Sequence, residues 1–238
     1  MPEGKNSAIF EMNIDFENQK IEFVNRLFKW YASNGRAFSW RKRNLTPYHV
    51  LILEIMLQRT PAQRVEKVFD VFVNKFPNPI ALYLASDKEL ESTIQTLGIQ
   101  KRRRSLLKNL AEYLVKKYDG RVPVISGELL QLPGVGIYVA NAIMCYCYGK
   151  PVPLVDTNAA RVLARVFGLS SRGDPSSEKH LWIFAEQILP KEDARRFNWA
   201  MIDFGSLVCK PKNPRCLECP MKDICRWFLA FQSQSQAK

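Results

Sequence analysis

No run of eighteen consecutive apolar residues occurs in the chain, the length a membrane-spanning helix requires. The first residues, MPEGKNSAIFEM, also lack the charge-then-apolar layout of a secretory leader. A soluble, intracellular protein with no membrane partner is expected. Strand-type alternation is missing as well, and no segment repeats, so nothing supports a sheet or an array. Acidic residues are in short supply: 23 Asp and Glu face 35 Lys and Arg, a formal net charge of +12. That excess favours a polyanionic partner, with nucleic acid ahead of anionic lipid because no amphipathic anchor stands out.

What is present is helical patterning almost throughout. At 238 residues, 47% of them hydrophobic, the chain is able to bury its own core. Ile21, Val24, Leu27, Phe28 and Tyr31 recur at helical spacing within 16–33. Thr46-Pro47 reads as a helix start, a hydroxyl cap followed by proline in the first turn. Further helices are expected over 61–76, 80–85, 87–96, 101–118, 126–131, 137–148, 157–167, 176–189, 194–208 and 221–228, joined by linkers such as FPNP, DGRVP and GKPVP. The last residues, QSQSQAK, read as a disordered tail. The fold class is all-α.

Between two of these helices lies LPGVG, with Tyr138 two residues past it. Gly134 and Gly136 permit backbone angles closed to other residues and allow a ligand to approach the main chain. The helix starting at Ile137 offers unpaired N–H groups and the positive end of its dipole, which suit a phosphate oxygen. Gly134, Val135, Gly136 and Ile137 are therefore candidates for a contact to DNA backbone that reads no sequence. A tight turn between packed helices would need only one glycine.

The six cysteines fall into two groups. Cys145 and Cys147, in the apolar run IMCYCY, read as core residues. The other four form Cys209-x6-Cys216-x2-Cys219-x5-Cys225, four sulfurs within seventeen residues. They suit one metal centre rather than disulfides. Zinc sites of four thiolates use two short knuckles, and only one CxxC occurs here; a single compact loop suits an iron–sulfur cluster, with zinc as the alternative. Lys210, Lys212 and Arg215 ride on that loop, either as solvated charge or as a clamp on DNA backbone.

Two carboxylates stand in unusual company. Glu54 lies in LILEIML, and three of its four neighbours at helical spacing are apolar. Burial there would raise its pKa and let it hold a proton near neutrality; the plain alternative is a core-edge glutamate paired with an arginine. Asp156, in PLVDTNAARV, would cap the helix from Thr157, and capping alone suffices to explain it. A capped carboxylate is nonetheless held ionised and fixed, as stabilising a developing cation requires. Asn158 shares that first turn.

The hairpin, the aspartate eighteen residues after Tyr138 and the cysteine loop together resemble the helix-hairpin-helix DNA glycosylases, the superfamily of endonuclease III and the MutY-type adenine glycosylases. The resemblance spans about Phe38 to Cys225. It implies one [4Fe-4S] cluster on Cys209, Cys216, Cys219 and Cys225, and two helical lobes. A six-helix barrel with the hairpin would occupy 38–149, and a cluster lobe of N-terminal helix and C-terminal segment 1–37 plus 150–238. It also implies double-stranded DNA carrying a mismatched or damaged base as partner, bound by a monomer whose target nucleotide is flipped out of the stack. A cytoplasmic, nucleoid-associated protein of prokaryotic type is expected.

Within that family the position of Tyr138 distinguishes chemistries. Endonuclease III-like enzymes carry a lysine there that attacks the sugar and cleaves the strand through a Schiff base, and a phenol cannot form that imine. The resemblance therefore implies a monofunctional glycosylase. In it Asp156 stabilises the oxocarbenium-like sugar, Tyr138 packs beside it, Glu54 addresses the base, and Asn158 supports the site. The pattern departs from MutY-type enzymes at LQRT, where Arg59 follows Gln58 in place of a second glutamine, and at LGIQK, where their LGYY tyrosine is missing. The chain also ends soon after the cysteines, without the C-terminal domain that helps those enzymes sense 8-oxoguanine. It looks closer to the Mig-type thymine mismatch glycosylases, acting on thymine or uracil opposite guanine. The alternative substrate is adenine opposite guanine or 8-oxoguanine, and the non-enzymatic alternative is a lesion-binding module without catalysis.

Overall fold

Twelve α-helices and two 3-10 turns, with no strand, make up the described residues of the computed structural model, which are 4–171, 173–174 and 177–236. The chain divides into two compact units, Met1–Arg36 with Pro151–Lys238, and Ala37–Lys150. No described helix is long and apolar enough to cross a membrane.

The unit Ala37–Lys150 is organised around α2 (Pro47–Leu57), whose residues Val50 to Met56 are all buried. Thr46 caps it, its Oγ1 accepting from His49 N at 3.2 Å, with Pro47 in the first turn. This helix packs on α3 (Ala62–Lys75) and α8 (Ile137–Tyr148). Around them lie α4 (Pro79–Leu84), α5 (Asp87–Ile94), α6 (Gln100–Tyr118) and α7 (Ser126–Leu129), a single turn leading into the LPGVG hairpin. Capping follows side-chain chemistry: Asn78 starts α4, and Ser86 with Glu89 forms a reciprocal capping box on α5. Such caps each contribute about 1 kcal/mol.

The other unit joins α1 (Gly4–Asn34) to α9 (Thr157–Phe167), α10 (Lys179–Ile188), α11 (Ala194–Leu207) and α12 (Arg226–Gln236). Amphipathic α9 packs against α10, α11 and α12, and α1 against α11. The core is aromatic: Phe23 meets Phe167 edge-on with centroids 5.1 Å apart, and Trp30 meets Phe204 likewise at 5.1 Å. Asp203, fully buried on α11, accepts from Arg36 N and Nε at 2.8 and 2.7 Å, which compensates its charge and anchors the end of the N-terminal segment.

The helical spacing read over 16–33 lies within α1, on which Phe23 and Leu27 are buried and Ile21 is exposed. Two expectations are corrected. No helix spans 221–225: those residues form turns of the cysteine loop, because a chain that directs four side chains inward over so short a stretch cannot keep helical period. The QSQSQ of the expected disordered tail, 232–236, continues α12; Ala237 and Lys238 lie outside the described residues, as does Ser176 of the helix expected over 176–189.

Candidate functional site

The hairpin is built by two glycines with different reasons for being there. Gly134 has φ +78, and a Cβ on it would come within 2.6 Å of the Leu106 side chain, so backbone and packing both demand glycine. Gly136, at φ −99 and ψ −177, is extended backbone open to any residue, which corrects the expectation of special angles at both. A Cβ on Gly136 would meet nothing within 4 Å. Val135 does not serve as an exposed contact: its side chain is buried and its N–H donates to Leu132 O at 3.1 Å. No side chain of the N-cap residue caps α8, and the first-turn N–H groups of any helix have no intrahelical acceptor. Ile137 is exposed beside them, and Tyr138 is half-buried in the same turn.

Gln58 and Arg59 lie on the turn that ends α2, both exposed. The Gln58 side chain donates to Gly134 O over 3.4 Å, placing this turn next to the hairpin. Glu54, one helical turn back, is only 6% exposed among seven apolar or aromatic buried neighbours of α2.

In the other unit, the run PVPLVD is pinned by Asn198, which is almost wholly buried. Its Oδ1 accepts from Leu154 N and its Nδ2 donates to Val152 O, both at 2.9 Å. This fixes the approach to Asp156, the N-cap of α9. Asp156 Oδ1 accepts from Asn158 N at 2.9 Å and Ala159 N at 2.7 Å, and Oδ2 from the Asn158 side chain at 2.8 Å. The carboxylate is thus fixed, but the expectation that capping simply keeps it ionised needs correction. Asp156 keeps some accessible surface, yet the protein packed around its carboxyl pushes its pKa up from the ordinary range. That desolvation outweighs the three hydrogen bonds and the charge of Arg161.

Two arginines one turn apart on α9, neither singled out from the sequence, join this cap to the cysteine loop. Arg161 donates to Asn158 Oδ1 at 2.7 Å, Gly205 O at 2.8 Å and Cys209 O at 2.7 Å. Arg165 donates to Lys210 O at 2.7 Å and lies over the Trp227 ring. In sequence they are indistinguishable from solvated charges; only the fold reveals that carbonyls surround them.

Cys209, Cys216, Cys219 and Cys225 line one cavity together with Val166, Phe204, Val208 and Phe228. As free thiols, three of them resist ionisation: burial, reinforced by the neighbouring cysteines, pushes Cys219 up to about 12 and raises Cys216 and Cys225. A cationic metal centre supplies what such buried sulfurs need in order to ionise, so the donor set fits one. Among the described residues no three His, Cys, Asp or Glu side chains are grouped to hold a single metal ion. From α1, Arg26 donates to Pro220 O at 2.7 Å and pairs with both oxygens of Asp223, and Gln19 donates to Ile224 O, so the N-terminal helix braces the loop. Lys212 and Arg215 are exposed on it, and Lys210 is half-buried with its carbonyl held by Arg165.

These features coincide with what the chain matches. Residues 52–187 match the HhH-GPD superfamily base excision DNA repair proteins, and 209–225 match the iron-sulfur binding domain of endonuclease III. The chain belongs to the HhH-GPD superfamily: it is a DNA-binding repair protein with an iron–sulfur segment. It is 36% identical to a thymine/uracil-DNA glycosylase of Pyrobaculum aerophilum over 87% of this chain and 92% of that one. The solved structure of a thermostable thymine-DNA glycosylase superposes with TM-score 0.84 at 34% identity, covering 90% of this chain and 99% of that chain. An adenine DNA glycosylase of Mycobacterium tuberculosis is 37% identical over 84% of this chain, which spans 66% of that relative.

Proposed function

We propose that the protein is a monofunctional DNA glycosylase that hydrolyses thymine or uracil from mismatches with guanine and leaves an abasic site. The observation that carries the chemistry is Tyr138 in the first turn of α8, directly after the hairpin. A phenol has no amine with which to form a Schiff base, so water replaces the base and the strand stays intact. The choice of base is supported by relatives named for thymine and uracil that match along nearly their whole length.

In this reading Asp156, ionised, stabilises the positive charge that develops on the sugar as the glycosidic bond breaks, and Asn158 holds its Oδ2. Tyr138 packs beside the sugar. Glu54 accepts from the ring N–H of the base, whose departing anion needs hydrogen-bond stabilisation. The hairpin holds a phosphate of double-stranded DNA on the first-turn N–H groups of α8, and Lys210, Lys212 and Arg215 add sequence-independent contacts to the backbone. The four cysteines hold one [4Fe-4S] cluster, supported by four sulfurs that line one cavity and by the match of 209–225 to an iron-sulfur binding domain. When bound, the cluster shapes the loop that presents these cations. The protein acts as a monomer in the cytoplasm, on the nucleoid.

The test offers duplexes with G·T, G·U, G·A and oxidised-G·A pairs, followed by alkali to reveal abasic sites. Release of thymine and uracil is expected. Release of adenine alone would instead support the second reading, which the similarity to the adenine glycosylase favours. Cleavage without alkali, together with a borohydride-trapped covalent complex, would overturn the monofunctional assignment. Asp156→Asn should abolish base release while DNA binding persists; an unaltered rate would remove Asp156 from the chemistry, and a wild-type protein that releases no base from any of these duplexes would leave only a binding module.

A further inference from the structure

Arg103 sits in KRRRS, a run that reads as solvated charge at the start of α6, yet it is 2% exposed. Among the described residues its guanidinium meets no carboxylate. It donates to Gly98 O at 2.6 Å, Gln58 O at 3.0 Å, Thr60 Oγ1 at 2.9 Å and, more weakly, Met56 O at 3.4 Å. Thr60 in turn donates to Leu97 O at 3.0 Å. Two turns that are distant in sequence, 58–60 and 97–99, are therefore tied to one cation.

Each of these turns holds a non-glycine residue in the left-handed region: Arg59 at φ 56 and Ile99 at φ 47. The second is a β-branched residue, for which such an angle is a true outlier. Strained residues persist only where their surroundings over-determine them, and they concentrate at sites of recognition. Both side chains are exposed, and the first turn also touches the hairpin through Gln58. A buried arginine without an acid is costly, and fold stability alone gives no reason to spend it on two surface turns.

We propose that Arg103 is a positioning residue for DNA recognition: it locks the 58–60 and 97–99 turns into one rigid surface beside the hairpin, so that both meet the duplex together. This rests on the glycosylase reading above, and it concerns discrimination rather than the bond-breaking step. A loose pair of turns still binds DNA but no longer separates a mismatched base from the same base correctly paired.

The test is the single-turnover rate on a mismatched duplex divided by the rate on the same base in a matched pair, for whichever base the wild-type protein releases. Failure of the thymine assignment is thus distinguished from failure of this one. Arg103→Met should lower that ratio by about tenfold or more, the scale of a broken charge-assisted network. Arg103→Lys should not restore it, because one ammonium cannot span four acceptors. Thr60→Val, nearly isosteric, cuts the link to Leu97 and decides the matter if Arg103→Met does not fold; it should shift the ratio in the same direction. An unchanged ratio in a folded variant, or rates that fall in equal proportion on both duplexes, would overturn the proposal.

Discussion

Gly205→Ala offers a case in which two physical arguments predict opposite signs. Gly205 lies inside α11, where replacing glycine by alanine in an uncrowded position stabilises a helix by about 1 kcal/mol. The structure denies it that space. A Cβ there would stand 2.7 Å from Asn158 Cβ, 2.7 Å from Asn158 O and 2.9 Å from Asn158 C. Two of the three are backbone atoms of the first turn of α9, and no rotamer change relieves them. The overpacking cost is put at the upper end of its usual range, about 3 kcal/mol. Net destabilisation is then about 2 kcal/mol, and the melting temperature should fall by roughly 4 to 8 °C for a chain of this size.

The same displacement acts on function. The methyl pushes at Asn158, which holds Asp156, and at the Gly205 carbonyl that Arg161 uses. A shift on the order of 1 Å at a reacting group costs about a hundredfold in rate. Base release measured in single turnover should fall by about that factor, while Gly127→Ala, whose Cβ would meet nothing, serves as the control. A rise in melting temperature with normal base release would refute the packing argument outright.

Other consequences are more direct. Because burial raises the Asp156 pKa and the proposed mechanism uses the ionised form, base release should fade on acidification at a pH above the ordinary aspartate value of about 3.9. The folded state binds that proton more tightly than the unfolded chain does, so this group costs stability above its folded pKa, and the cost is relieved as pH falls through it. Asn158→Ala removes one donor and should move the acidic limb of the rate profile further up; an unmoved limb would mean Asp156 does not set it. Purified protein should be brown with about four irons per chain. Cys219→Ser should lose iron and melt earlier, whereas a colourless protein with one zinc would refute the cluster. Gly134→Ala forces a methyl into Leu106 at positive φ and should cost more than 1 kcal/mol, read as a lowered melting temperature.

What could be read in advance follows from which interactions are local. Thr46-Pro47 and the Asp156 cap announce themselves because the capping atom and its N–H partners lie within three residues. The cysteine loop is legible for the same reason. The apolar spacing of α1 announces a helix without saying which edge of it is buried, and Ile21 lies on the exposed side. Arg103, Arg161 and Arg165 are invisible in the sequence because most of their acceptors are backbone carbonyl oxygens, which every residue carries and no sequence pattern marks. Their bonds cross about 43 to 48 residues of chain in several cases, a separation that only the fold closes.

The glycines carry this reasoning furthest. At Gly134 the backbone angle and Leu106 exclude any side chain, and at Gly205 the first turn of α9 does. At Gly136 neither reason holds: the angle suits any residue and the space is open. Alanine at this N-cap would lose about 1 kcal/mol of capping preference and regain a similar amount from the stiffer unfolded chain, so the melting temperature should barely move. What remains to forbid a side chain is a ligand that comes close to the main chain. Gly136→Ala should therefore leave folding and iron content intact while weakening the affinity for duplex DNA by about tenfold, roughly 1.4 kcal/mol. A titration in which the variant binds DNA as tightly as the wild-type protein would mean that the phosphate does not approach the hairpin here.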